Sequence, residues 1–285
     1  MNGSVNLRQK EAQVPVFLYH RIVARPQDRA SVYDIDGKEF ERQMSYLRQT
    51  GIQVIPLDKL VTFSQNGGKH PERAVCLTFD DGDQSHYQNA LPILKESHFS
   101  ATFFLTVGAI GSPGYLCWEE VLAMQGEGMS IQSHSMTHPF LTDLGREDKI
   151  YELMESKVRL EEKLNRKVFW FSLPGGRGDE ETFVLAGETG YTGICTSRIG
   201  MKVRNNGLVT VDRIAIKADL RFKRFCAIAR GEKKELRHLR TRQLFLDVCK
   251  RAMGDTLYCR LRDGLLSEDS RYRPSTGTAT GRMER

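Results

Sequence analysis

Short apolar runs alternate with segments of helical period along three quarters of this chain, and that alternation is what most narrows the fold. The runs are VPVFLYH (14–20), IQVIPL (52–57), AVCLTF (74–79), ATFFLTV (101–107), MSIQSH (129–134), KVFWFSLP (167–174), GICTS (193–197) and LVTVDRIAI (208–216). Helices are expected between them near 37–50, with Phe40, Met44 and Leu47 on one face, and near 86–97, 118–127 and 179–189. A longer one is expected over 146–166, placing Ile150, Leu153, Met154, Val158, Leu160, Glu161 and Leu164 in a helical pattern. A βαβα order argues for a mainly parallel sheet covered by helices. Seven or eight such units over roughly 215 residues, with no Pro/Gly/Ser linker between them, fit an irregular (β/α)7-8 barrel better than two domains. The organisation expected is an extension over 1–13, the α/β barrel over 14–218, a basic helical extension over 219–270 and a disordered tail over 271–285. Phe103, Phe104, Phe169 and Phe171 are expected in the core.

Composition bounds the rest. With 40% hydrophobic and 27% charged residues in 285, the chain can bury a substantial core. It has no apolar stretch near the roughly 20 residues that cross a bilayer. The polar start MNGSVNLRQKEAQ lacks the apolar middle of a secretory signal, so a cytoplasmic location is expected. Six cysteines without a C-x-x-C pair read as reduced thiols, several of them in apolar runs. The net charge of +6 is uneven: from Arg221 onward there are 17 Lys+Arg against 8 Asp+Glu. That quarter has no aromatic interleaving and no nucleic-acid-binding motif, so no nucleic-acid partner is expected. A solvated helical face is its plain reading, and contact with an anionic membrane surface, at the inner face of the membrane, is the next.

In a parallel barrel, chemistry gathers where strands end. The polar residues closing the apolar runs are His20, the pair Asp80-Asp81, His134, and the stretch Pro174-Gly175-Gly176. His134 and His138, four apart in SHSMTH, can meet one cation if the backbone turns there, although an H-x-x-x-H pair also occurs as ordinary loop histidines. Two histidines and one carboxylate leave coordination positions open for water and substrate. Of Asp80 and Asp81, one can ligate a cation while the other, aimed differently by the pleat, takes a proton. The plain alternative for Asp81-Gly82 is a turn.

LTFDDG, SHSMTH and the Pro-Gly stretch after Trp170 resemble, in order and spacing, the motifs of the polysaccharide deacetylases, carbohydrate esterase family 4. VPVFLYHRI, FERQMSYLRQTG and ATFFL look like the branch acting on poly-N-acetylglucosamine and related bacterial surface polysaccharides. The resemblance spans roughly 14–216. It implies a barrel of the polysaccharide-deacetylase type and a hydrolase that removes N-acetyl groups from a polysaccharide or its precursor, a lipid-linked glycan among the substrates. Position by position, it implies Asp80 as general base and Asp81, His134 and His138 as holders of one divalent metal. Gly175 would offer an N–H to the oxyanion, Pro174 and Gly176 would line the substrate site, and His20 would be the acid that protonates the departing amine. Zn²⁺ is the default ion for such ligands, with Co²⁺, Ni²⁺ or Mn²⁺ also suited.

Several positions depart from the family pattern. Ser172 stands where the family often has an arginine bracing the base, leaving Arg177 or Arg213 to reach it from elsewhere. The fourth motif has no clear match beyond Asp212-Arg213, and no Leu-x-His follows Ile216. His238 reads as a solvated surface residue, and Trp118 and Tyr115 read as packing rather than catalytic. The same machinery serves an O-acetyl esterase, and missing motif residues would also fit a non-catalytic carbohydrate-binding relic, against which the intact TFDDG and H-S-M-T-H weigh.

Overall fold

The computed structural model describes residues 14–25, 28, 31–65, 71, 73–201 and 203–241. Its strands are β1 (Val16–Tyr19), β2 (Ile22–Val23), β3 (Ile35–Asp36), β4 (Gln53–Val54), β5 (Ala74–Phe79), β6 (Thr102–Leu105), β7 (Ser130–Ser133), β8 (Trp170–Ser172), β9 (Gly193–Ile199), β10 (Val203–Asn206) and β11 (Leu208–Ala215). The helices are α1 (Gly37–Gln49), α2 (Leu57–Gln65), α3 (Leu91–Ser97), α4 (Trp118–Gly126), α5 (Arg146–Leu164), α6 (Glu180–Glu188) and α7 (Phe222–Ala229). Seven parallel strands run in the order β1-β11-β9-β8-β7-β6-β5, and β5 pairs back with β1, so the sheet closes on itself. β4 hangs on β5, and β10 makes a hairpin with β11 through Gly207. Closure removes the exposed edges that an open sheet would leave.

Each barrel strand serves two cores through its period of two. One set of side chains, Val14, Val16, Ala74, Cys76, Phe104, Trp170, Cys195, Val209 and Val211, belongs to a single apolar cluster that fills the lower barrel. The alternate set meets the helices: Phe17 packs on Phe225 of α7 with ring centres 5.0 Å apart, and Tyr19 meets Phe40 of α1 at 5.2 Å. α7 thus belongs to the same compact body, which runs past Ala218 as far as Leu236. Cys76, Cys195 and Cys226 are buried free thiols and Cys117 is a half-buried one; Cys249 and Cys259 lie outside the described residues, as do the 1–13 and 271–285 segments. Among the described residues no helix is long and apolar enough to cross a membrane.

Four expectations need correction. Phe169 precedes β8 and is 43% exposed, because the strand itself begins only at Trp170. On α5, Met154 and Val158 face outward at 50% and 41% exposure, while Lys149, Glu152 and Ser156 are buried beside Leu153 and Leu160. The run IQVIPL yields just two strand residues, after which Leu57 starts α2. The helix expected over 86–97 opens with a wide i→i+5 turn over His86–Ala90 before α3.

Candidate active site

The barrel-facing parity that places Ala74, Cys76 and Thr78 inside carries on to Asp80, and the parity of Val209 and Val211 carries on to Arg213. These two charges meet above the apolar cluster. Arg213 is fully buried and grips Asp80 through two bonds, Nη1 to Oδ1 at 2.8 Å and Nη2 to Oδ2 at 2.7 Å. Ser172 donates its hydroxyl to Asp80 Oδ2 at 2.9 Å and accepts from Arg213 Nη2 at 2.7 Å. The remaining guanidinium edges donate to the Thr196 carbonyl (3.1 Å) and the Thr78 hydroxyl (3.3 Å). Of the two arginines that the sequence leaves open as a brace, Arg213 holds Asp80, and Ser172 completes the clamp from the position that the family gives to arginine. Burial by itself would raise the Asp80 pKa, but the charge of Arg213, followed by that of His134, outweighs it and keeps the carboxyl below its ordinary value.

Asp81 points elsewhere because its backbone is left-handed, φ 80°, a region that Asp tolerates better than most residues, and Gly82 continues the turn at φ 84°. The turn and the site are therefore one feature. Asp81 Oδ1 lies 3.3 Å from His134 Nε2 and 3.4 Å from His138 Nε2. One ligand atom from each of Asp81, His134 and His138 falls within 4.8 Å of the others. The Nδ1–H of His134 donates to the Ser172 carbonyl at 2.8 Å, which orients the ring so that Nε2 faces the trio. Two imidazoles and a carboxylate converging in this way are a donor set that fits a divalent cation with positions left for water and substrate. Desolvation works against the Asp81 charge, yet hydrogen bonds from His134 and His138 prevail and hold it well below the carboxylate range. His134 is desolvated too, but Asp80 and Asp81 raise its pKa on balance.

The histidine loop is shaped from outside the barrel. Ser135 and His138 both take positive φ, 69° and 64°. The buried carboxylate of Glu152 on α5 accepts from the N–H groups of Met136 and Thr137, each at 2.8 Å, and from the Thr137 hydroxyl at 2.6 Å. The Ser135 hydroxyl accepts the His138 N–H at 2.9 Å. No motif in the sequence marks Glu152 for the site; the available signal is a carboxylate at a helix position whose neighbour Leu153 is core.

His20 follows β1, close enough to Asp80 and Asp81 to feel their charge, and its ring packs on Tyr33 at 4.8 Å. The buried His86 donates Nε2–H to the His20 carbonyl at 2.6 Å, tying the strand end down. His20 Nδ1 is buried and has no hydrogen-bond partner in the structure. Burial lowers the His20 pKa, with Asp80 and Asp81 opposing. Pro174, Gly175 and Gly176 form the turn after β8. Gly175 is left-handed (φ 59°), and a Cβ there would sit 2.4 Å from a ring carbon of Phe140. At Gly176 (φ 69°) it would meet Ser197 at 2.5 Å. Glycine at both lets the turn close on the rim. Arg177 leaves the base alone and lies over the Phe140 ring, 4.4 Å from its centre. His238 is exposed, and Trp118 is half-buried under Lys163.

The polysaccharide deacetylase family profile matches residues 67–194, the stretch that carries β5 to β8 with Asp80, Asp81 and both histidines. A Bacillus subtilis (strain 168) protein named for the same family, YxkH, is 31% identical over 208 residues, 73% of each chain. The chain belongs to the polysaccharide deacetylase family. The poly-beta-1,6-N-acetyl-D-glucosamine N-deacetylase of Staphylococcus epidermidis is 36% identical over 83 residues, 29% of this chain and 28% of that one. Among solved structures, the Streptococcus pyogenes deacetylase PplD in complex with acetate superposes with a TM-score of 0.69 at 27% identity, covering 73% of this chain and 94% of that one. The closed seven-stranded barrel is thus the deacetylase barrel.

Proposed function

We propose that this protein is a divalent-metal-dependent hydrolase that removes N-acetyl groups from the amino sugars of a bacterial surface polysaccharide or its precursor. The observation that supports it is the pairing of a buried carboxylate kept ionised, Asp80, with a second carboxylate and two histidines whose lone pairs converge one residue away. The relatives named for N-acetylglucosamine polymers favour the acetamido sugar as substrate.

Asp81, His134 and His138 would hold a divalent ion, which would supply the Lewis acidity that acidifies water and polarises a carbonyl. Asp80 accepts the proton of the attacking water, and the Arg213 clamp keeps it a carboxylate in the resting state. The turn at Gly175 presents its backbone to the oxyanion. His20 delivers a proton to the departing amine, since an amide nitrogen does not leave as an anion.

The test is acetate release by zinc-loaded protein from N-acetylglucosamine oligomers and from acetylated xylan. Release from the oligomers that is abolished in His138→Ala supports the reading; release from xylan alone would make the protein an O-acetyl esterase. Absence of both metal binding and release would leave the carbohydrate-binding relic. His20→Gln separates the acid from the rest: amide turnover is expected to fall about 10²–10⁴-fold, while 4-nitrophenyl acetate, whose leaving group needs no proton, is spared. Equal loss on both substrates would make His20 a packing residue.

A further inference from the structure

Two cations stand at the mouth of the barrel, and among the described residues neither has a carboxylate partner. Arg177, exposed on the turn after β8, lies over the Phe140 ring 4.4 Å from its centre. Phe140 is itself pressed against Gly175 and follows the metal-trio residue His138 by two positions. Beyond β11, Lys217 Nζ stands 5.3 Å above the ring of Tyr33, which also meets the His20 ring at 4.8 Å. The register of β1 with β11 pairs Leu18 with Ala215, so His20 and Lys217 come level two residues further on. Among the described residues, no carboxylate lies within 4.0 Å of either cation. Of the acidic residues that begin α6, Asp179 and Glu181 hold Lys149 at 2.8 and 2.9 Å, and Glu180 makes no ion pair with Arg177 within 4.0 Å. Arg204 takes Asp212, and Arg213 takes Asp80.

A cation over an aromatic face keeps its charge and is steered by the ring, while its N–H edges stay free. Guanidinium edges of that kind fit the oxygens of a phosphate or carboxylate in a bidentate way, and a lysine supplies a point charge for the same ligand. A neutral poly-N-acetylglucosamine chain can accept hydrogen bonds from these groups but offers them no counter-charge. On the reading under Proposed function, we infer that Arg177 and Lys217 select a glycan bearing an oxyanion substituent, a phosphodiester or a carboxylate, on a sugar next to the N-acetylated one.

The experiment has a binding arm and a turnover arm, both on zinc-loaded full-length protein. The probes are an N-acetylglucosamine tetramer, the same tetramer carrying a 1-phosphate, and a tetramer alternating N-acetylglucosamine with glucuronic acid. Calorimetry is expected to give at least tenfold tighter binding of an anionic tetramer than of the neutral one at low salt. The advantage should shrink toward one as salt rises to 0.5 M, and in the Arg177→Gln/Lys217→Gln variant. Preference for the phosphorylated or for the uronic tetramer distinguishes the two sources of charge. Equal binding of all three, or a preference that survives the double variant, overturns the inference. Acetate release keeps the two readings apart: charge-selective binding without release from any tetramer removes the deacetylase reading alone, whereas release without charge selectivity removes only this one.

Discussion

The lower and upper halves of the barrel are made by the same strands and obey opposite rules. Below, Val16, Cys76, Phe104, Cys195 and Val211 fill the lumen with apolar volume and nothing needs a partner. One pleat higher, Asp80, His134, Ser172 and Arg213 occupy equally buried positions, and every polar group must be answered. A packed floor excludes water from beneath the charges, which strengthens each interaction above it. The floor determines that the barrel folds; the layer above it determines where the chemistry sits. Burial of charge alone does not make a site: buried Lys149 also holds two carboxylates, but it does so between α5 and α6, where no strand ends converge.

The largest break in this comparison comes from Arg213→Met. It leaves Asp80 buried without its cation, and a loss of about 3–5 kcal/mol is expected in urea unfolding, together with loss of turnover. Adding Asp80→Asn to Arg213→Met should recover part of that stability and none of the turnover. Additive losses in this double-mutant cycle would show that the pair is not coupled. Phe104→Ala strikes the floor instead. It opens a cavity worth about 3–4 kcal/mol and removes the ring that lies 5.4 Å from the Arg213 guanidinium, yet turnover per folded molecule should persist in reduced form, because every hydrogen bond between Arg213, Ser172 and Asp80 is kept. Should activity vanish while the barrel is still folded, the two layers are not separable in this way.

Glu152→Gln acts from outside the barrel. The three donors of the histidine loop keep a weaker acceptor, so stability should drop by about 1–2 kcal/mol and zinc affinity by roughly 10-fold. Unchanged zinc affinity would limit Glu152 to holding α5. The smallest effect is the acid limb of stability in zinc-free protein. The folded pKa of Asp80 lies below its unfolded value of about 3.9. Its contribution is therefore complete above that value and is lost as pH falls through the folded pKa. The Asp80→Asn/Arg213→Met protein should show a shallower decline than wild type below about pH 4.

How much could be read in advance varies with distance along the chain. The seven barrel strands were legible as apolar runs, and Asp80-Asp81 and His134-His138 as local motifs, because each is a matter of neighbours or of a fixed period. The exposed faces of Phe169, Met154 and Val158 were not, since an apolar side chain carries no mark of which neighbour will cover it. Arg213 is 133 residues from the carboxylate it grips, and as a sequence feature it was equivalent to Arg177, which turned outward onto Phe140. Glu152 was hidden among the charges of a helix whose inward face is partly polar.

By itself, then, the sequence determined that this chain alternates strand and helix, that two carboxylates and a pair of histidines stand at or just beyond strand ends, and which family those motifs resemble. Period and spacing are properties of a chain, and they survive without coordinates. Only the tertiary structure decided that the barrel closes at seven strands through β5 and β1, which arginine compensates Asp80, and which cations at the mouth lack a carboxylate partner among the described residues. Those outcomes depend on the registers of strands distant in sequence, and a register has no local signature.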